Sequence, residues 1–201
     1  MEDTKIKKIR DSIKGLPYGS AFSVSDFTDI EDYEAIKKIF QRMEKKGEIR
    51  RVIRGIYDKP KYSNAIKEYA VPYPNEVALA IARNYNWRIA PEGNVALNSL
   101  SLSTQVPATW SYVSSGPYKK YKIGKVKLEF NHRSNKELIG MSDKTLTLIQ
   151  ALKTMGRDNA DDKIISRIRK IFTKQEKTQI LKESKNTTIW IYEIIKKICE
   201  A

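Results

Sequence analysis

Apolar positions in the first sixty residues recur at helical spacing and then give way to alternation. Ile6, Ile9 and Ile13 stand three and four apart and predict a helix over 4–14, closed by Gly15. Leu16-Pro17-Tyr18-Gly19-Ser20 reads as a turn. Ser23-Val24-Ser25-Asp26-Phe27 opens a short second helix, with Ser23 at the N-cap and Asp26 at its third position, in the manner of a capping box. A third helix is expected over about 31–46. Ile36, Ile39, Phe40 and Met43 form its apolar stripe, and Glu34, Lys37, Lys38, Gln41 and Lys45 its polar face. Gly47 ends it. Glu48-Ile49-Arg50-Arg51-Val52-Ile53 then alternates as a strand, Arg54-Gly55 turns, and Ile56-Tyr57 returns.

Beyond residue 60 the pattern is mixed. Val77, Ala78, Ile81 and Ala82 mark a helix from Pro74 to about 84, and Pro91-Glu92-Gly93-Asn94 reads as a turn or helix start before 95–100. Residues 109–113 alternate as a strand, and 118–122 with 126–130 predict a hairpin across Ile123-Gly124-Lys125. The last sixty residues are helical. Thr173 and Glu176 form a capping box, Asn186-Thr187 is the expected cap of the final helix, and Ile191, Ile194, Ile195 and Ile198 share one stripe of it. The fold class is therefore α+β: an N-terminal winged helix-turn-helix over 1–60, then a mixed α/β domain over 61–201 that ends in a helical C-terminal segment. The boundary is placed at 58–63, where Asp58-Lys59-Pro60-Lys61 interrupts the apolar pattern.

Three helices followed by a basic hairpin is the order that sets a recognition helix in the major groove and a wing along the neighbouring backbone. Lys37, Lys38, Gln41 and Arg42 are the groove candidates on the third helix. Arg50, Arg51 and Arg54 are the candidates on the wing, where guanidinium groups supply donors to phosphates. Strand alternation puts Arg50, Val52 and Arg54 on one side and Arg51 and Ile53 on the other. With Ile53 and Ile56 packed on the helices, Arg50 and Arg54 take the open side. Ser20, Ser23 and Ser25 surround the start of the second helix, where hydroxyls and free amides hold a phosphate. Lysines on the outer face of an amphipathic helix are also ordinary solvated surface. A winged helix that contacts protein or RNA without promoter binding is the alternative.

Charge changes the picture more than length does. The 201 residues carry 38 basic and 24 acidic side chains, a net charge of +14, which points to an anionic partner. The excess is spread out: residues 1–60 hold 14 basic and 11 acidic side chains, 61–140 hold 11 and 5, and 141–201 hold 13 and 8. One histidine, His132, and one cysteine, Cys199, leave no material for a catalytic zinc site or a thiolate cluster. No Gly-rich phosphate loop is present. The expectation is a binding protein and not an enzyme, with no cofactor and no metal. No apolar run approaches the roughly 20 residues of a membrane helix, and the opening Met1-Glu2-Asp3-Thr4-Lys5 is charged, so a cytoplasmic protein without a membrane partner is expected. Trp87, Trp110 and Trp190 are expected in the core, His132 in a structural role and Cys199 inert. Tyr112, Tyr118 and Tyr121 with Lys119, Lys120 and Lys122 make a basic, aromatic hairpin. That composition suits RNA stacking and equally an ordinary lysine-bearing strand surface.

Several runs resemble antitoxins of the AbiEi type, from bacterial abortive-infection and toxin–antitoxin systems. They are Tyr18-Gly19-Ser20-Ala21-Phe22-Ser23-Val24-Ser25-Asp26-Phe27 and the wing Gly47-Glu48-Ile49-Arg50-Arg51-Val52-Ile53-Arg54-Gly55-Ile56-Tyr57. More distinctive are Ile89-Ala90-Pro91-Glu92-Gly93-Asn94-Val95-Ala96-Leu97-Asn98 and Leu102-Ser103-Thr104-Gln105-Val106-Pro107-Ala108, which resemble a DUF-type branch and carry the similarity over about residues 1–150. The resemblance implies a phage-defence antitoxin whose winged helix binds double-stranded DNA at its own promoter and represses transcription. Its second domain would counter a nucleotidyltransferase-like toxin without forming a stable complex, the type IV arrangement.

Overall fold

A computed structural model describes residues 4–65 and 67–200. Met1, Glu2 and Asp3 of the charged opening lie outside them. The chain is a mixed α+β protein with two compact units: one of residues up to Trp87 together with 121–128, the other of 88–120 and 129 onward. The division thus falls after Trp87, beyond the boundary expected at 58–63, because the helix that follows the wing packs on the first strand and the 3-10 helix of the first unit.

In the first unit, α1 (Thr4–Gly15) is followed by β1 (Ala21–Ser23), a 3-10 helix (Val24–Phe27), α2 (Tyr33–Lys45), β2 (Arg50–Ile53) and β3 (Ile56–Asp58). The three strands form an antiparallel sheet in the order β1-β3-β2. This is the winged-helix arrangement, with the second helix reduced to a single 3-10 turn. Ile36, Ile39, Phe40 and Met43 of α2 are buried with Ile9 and Ile13 of α1, as their spacing predicts. Four aromatic rings set α2 against the sheet: Phe22–Phe40, Phe27–Phe40 and Phe40–Tyr57 meet edge to face at 5.6, 5.7 and 5.1 Å. Each such pair contributes about 0.5–1.5 kcal/mol beyond area burial, so the orientation of α2 is strongly determined. Gly47 (φ +69°) and Gly55 (φ +83°) take left-handed conformations at the helix end and the wing turn, where a β-carbon is strained.

A small ladder of β4 (Tyr62–Ser63) and β5 (Glu68–Tyr69), which the sequence pattern did not disclose, follows the wing. Helix α3 (Pro74–Asn84) buries Val77, Ala78, Ile81 and Ala82. Its end is tied to the 3-10 helix by Arg83, which reaches the Asp26 carboxylate at 2.9 Å, and by Asn84, whose Oδ1 accepts from the Ser25 hydroxyl.

The second unit begins with β6 (Ile89–Glu92) and α4 (Asn94–Ser99), then β7 (Thr109–Ser114). Pro91 and Glu92, expected within a turn or helix start over 91–94, instead end an edge strand that pairs with β7, a place where proline is tolerated, and the helix opens at Asn94. The hairpin of β8 (Lys119–Ile123) and β9 (Val126–His132) completes the sheet order β6-β7-β9-β8, its tip 121–128 counting with the first unit. Helices α5 (Asn135–Leu138), α6 (Asp143–Met155), α7 (Asp162–Arg169), α8 (Lys174–Glu183) and α9 (Ile189–Cys199) follow. A core of Leu148, Leu152, Ile165, Ile168, Ile180, Ile191, Ile195 and Ile198 joins α6 to α9. Thr173 caps α8 and Glu176 closes the capping box. The cap of α9 is Thr188 and not the expected Asn186-Thr187. Among the described residues no helix is long and apolar enough to cross a membrane.

Candidate nucleic-acid interface

The outer face of α2 is open. Lys37, Lys38, Gln41 and Arg42 are all exposed, and among the described residues only Lys37 of these has an ion pair, to Glu34 at 3.3 Å, a surface contact of small energetic weight. Charge runs along the helix in the sense its dipole favours: Asp32 and Glu34 stand at the N-terminal end, Arg42, Lys45 and Lys46 at the C-terminal end. The acidic end repels phosphate, so the last two turns of α2 are the part suited to a polyanion. Glu31, just before the helix, is held below the usual carboxylate range by the Asp32 amide and by Lys5.

The wing departs from simple alternation. Arg50 lies opposite Asp58 and Arg51 opposite Tyr57, but Ile53 lies opposite Ile56, so Val52 is an extra residue in β2. This bulge reverses the expected facing of Arg50 and Arg51, because residues on either side of it lose their common two-residue period. Arg50 is turned inward. Its Nε donates to Asp58 Oδ1 at 3.0 Å, and its Nη2 donates to the other carboxylate oxygen and to the Ala70 carbonyl at 2.9 Å. Asp58 is fully buried. Arg50 is therefore a structural partner and not the open-side contact that alternation implied. Arg51 is exposed and shares the face of Tyr57, whose ring packs on Phe40 of α2. Burial pushes the Tyr57 hydroxyl up, while Arg51, and more weakly Lys37, pull it down against Glu44 and Tyr33. Arg51 of the wing and Lys37 of α2 thus both lie near the Tyr57 side chain, which is itself buried. Arg54 is exposed at the turn. Ile56 is buried as expected, whereas Ile53 is only half-buried.

The serines do not form the expected phosphate cradle. Ser23 is fully buried, and its amide donates to Asp26 Oδ2 at 2.8 Å, so the start of the 3-10 helix is filled by its own carboxylate. Ser25 is exposed, but its hydroxyl donates to Asn84. Ser20 uses its backbone: its carbonyl accepts from the Lys59 amide.

The chain matches, over residues 8–180, the family described as a family of unknown function (DUF6088). It belongs to the DUF6088 family. No curated protein matches it significantly. In this DUF6088 protein the remaining candidate chemistry is spent locally. His132 donates from Nδ1 to the Gly116 carbonyl at 2.9 Å and meets the Tyr118 ring. Burial pushes the Cys199 thiol up, away from the thiolate form, while Lys177 pulls weakly the other way. Trp87, Trp110 and Trp190 are half-buried, less enclosed than a core position implies. Among the described residues no three His, Cys, Asp or Glu side chains gather as metal ligands.

Sequence reasoning missed the Arg50–Asp58 pair. Its signal was the acidic residue at the end of the wing, the single carboxylate among the cations of 49–61.

Proposed function

We propose that the protein binds double-stranded DNA through α2 and the wing and acts as a cytoplasmic transcriptional autorepressor. One observation carries the reading: Arg51 of the wing shares the face of Tyr57, whose ring packs on Phe40 of α2, the helix that exposes Lys37, Lys38, Gln41 and Arg42. A helix for the major groove and a guanidinium ribbon for the adjacent backbone are thereby held at one fixed angle. Lys38, Gln41 and Arg42 are the groove-facing set. Arg51 and Arg54 are the wing set, and Arg50 leaves it. The antitoxin role, against a nucleotidyltransferase-like toxin, is part of the same proposal and rests on the resemblance of the 89–98 and 102–108 runs. On this reading the protein is a regulator and not an enzyme.

The test is binding of the pure protein to the DNA upstream of its own gene, by fluorescence anisotropy across a salt series. Lys37, Lys38, Arg42, Arg51 and Arg54 engaging phosphates contribute about −4 to −5 to the slope of log affinity against log salt. Absence of binding at low salt overturns the reading. Rescue of cells expressing an adjacent nucleotidyltransferase-like gene tests the antitoxin half separately.

A further inference from the structure

The β8–β9 tip carries cations that neither the fold nor the proposed interface uses. Lys120 pairs with Glu129 across the hairpin at 3.1 Å, which fixes the face of both. Two residues further toward the tip on each strand, Lys122 and Lys127 share that face. Lys125 follows Gly124 (φ +58°) in the turn. Lys122, Lys125 and Lys127 are all exposed, and none is held by an ion pair among the described residues. Lysines on β8 are expected in part because it is the edge strand of its sheet, where charge discourages edge-to-edge pairing. That explanation does not reach Lys127, which lies on the interior strand β9, or Lys125 in the turn.

The position of the tip within the first unit gives these lysines a direction. The Tyr121 hydroxyl is hydrogen-bonded to Tyr85, the residue that ends α3 and stacks on Trp87 at 4.9 Å. The preceding residues, Arg83 and Asn84, hold Asp26 and Ser25 of the 3-10 helix. Helix α3 itself packs on β1. In the sheet β1-β3-β2, the wing strand β2 is one edge and β1 the other. The lysine tip is therefore anchored beside β1 and the 3-10 helix, at the edge of the sheet away from the wing strand β2.

We infer that the β8–β9 tip is a second backbone contact for duplex DNA, flanking the recognition helix on the side away from the wing. The inference rests on the DNA-binding reading above. Its cations take phosphates on that side, which lengthens the footprint in one direction only and carries no base specificity.

The test compares wild type, Lys122→Ala/Lys125→Ala/Lys127→Ala, and the same triple to Arg, on duplex DNA from the region upstream of the gene. The alanine triple is expected to lower the salt slope by about 2–3. It is also expected to lose hydroxyl-radical protection at one end of the footprint while the centre persists. The arginine triple keeps both, and melting temperatures agree across the three because the side chains are exposed. Wild-type binding with an unchanged slope and footprint in the alanine triple overturns the inference and leaves the wing reading standing. Loss of affinity confined to single-stranded oligonucleotides or RNA also overturns it. A wild type that does not bind duplex DNA overturns both readings together.

Discussion

Arg50→Ala separates the open hairpin that strand alternation describes from the bulged one that forms. On an open face the substitution removes a surface cation and leaves stability within about 0.5 kcal/mol. In the structure it strands Asp58, which is fully buried and takes two donors from Arg50. It also removes the donor to the Ala70 carbonyl. Breaking a buried pair from one side costs about 3–5 kcal/mol. The Arg50 side chain is 31% exposed, so water partly screens it, and the lower end applies, about 3 kcal/mol. For a unit of this size each kcal/mol moves the midpoint by about 4–8 °C, so the fall exceeds about 10 °C. Calorimetry of the full chain suits the measurement, because two units need not melt in one transition. Asp58→Asn added to Arg50→Ala removes the stranded charge and recovers part of the loss, while Arg54→Ala in the same hairpin leaves the midpoint in place. An Arg50→Ala midpoint equal to wild type refutes the inward assignment. A loss of DNA affinity in Arg50→Ala accordingly reports a damaged wing and not a missing phosphate contact.

Arg51→Ala and Arg54→Ala each lower the salt slope by about 0.9 if the contact is to phosphate, with melting unchanged; anisotropy titrations at several salt concentrations read this directly. Thr173→Ala removes the cap of α8 and costs about 0.5–2 kcal/mol, measured by denaturant unfolding. Burial alone raises the Glu183 carboxyl, but the Thr145 hydroxyl, the Ser142 amide, Gln179 and the Ser142 hydroxyl outweigh it and hold it at about 2, below its ordinary 4.5. Its folded-state value is depressed, so its contribution is complete above about 4.5 and is lost as pH falls toward about 2. Glu183→Gln therefore flattens the acid limb of stability in that window, and an unchanged limb counts against the assignment.

The helical parts of the fold were legible because their signals are local. The stripe of α2, Gly47 at its end and the Thr173–Glu176 box each lie within a few residues, and each stands where periodicity or capping puts it. The wing was legible as a hairpin but not in its facing. A single extra residue at Val52 shifts the register of β2 on β3 without any mark in the local pattern, and it decides which arginine meets Asp58. The Ser23 hydroxyl was misread for a related reason. The capping box was visible, yet the approach of Arg83 to Asp26 from α3 comes from a segment assigned to the other domain. Residues 89–92 were hidden by Pro91, whose edge position shows only in the sheet order.

The lysine after the wing has consequences for how DNA would be read. Lys59 Nζ is bonded to the carbonyls of Lys14 and Leu16 at the end of α1, and its own backbone pairs with Gly19 and Ser20. The outgoing strand is thus fastened to the helical body while Arg50 fastens the other strand to Asp58 and Ala70. Only the tip past the bulge, Val52 to Gly55, is left to adjust. A hairpin with so short a compliant end has a nearly constant span to α2, so in the proposed DNA complex a duplex whose groove width differs would itself have to deform to meet it. Sequences that deform at low energy are then favoured at base pairs no side chain touches. Selectivity of that kind would persist when Arg54 is shortened to alanine and fade when the anchors at the base of the wing are loosened.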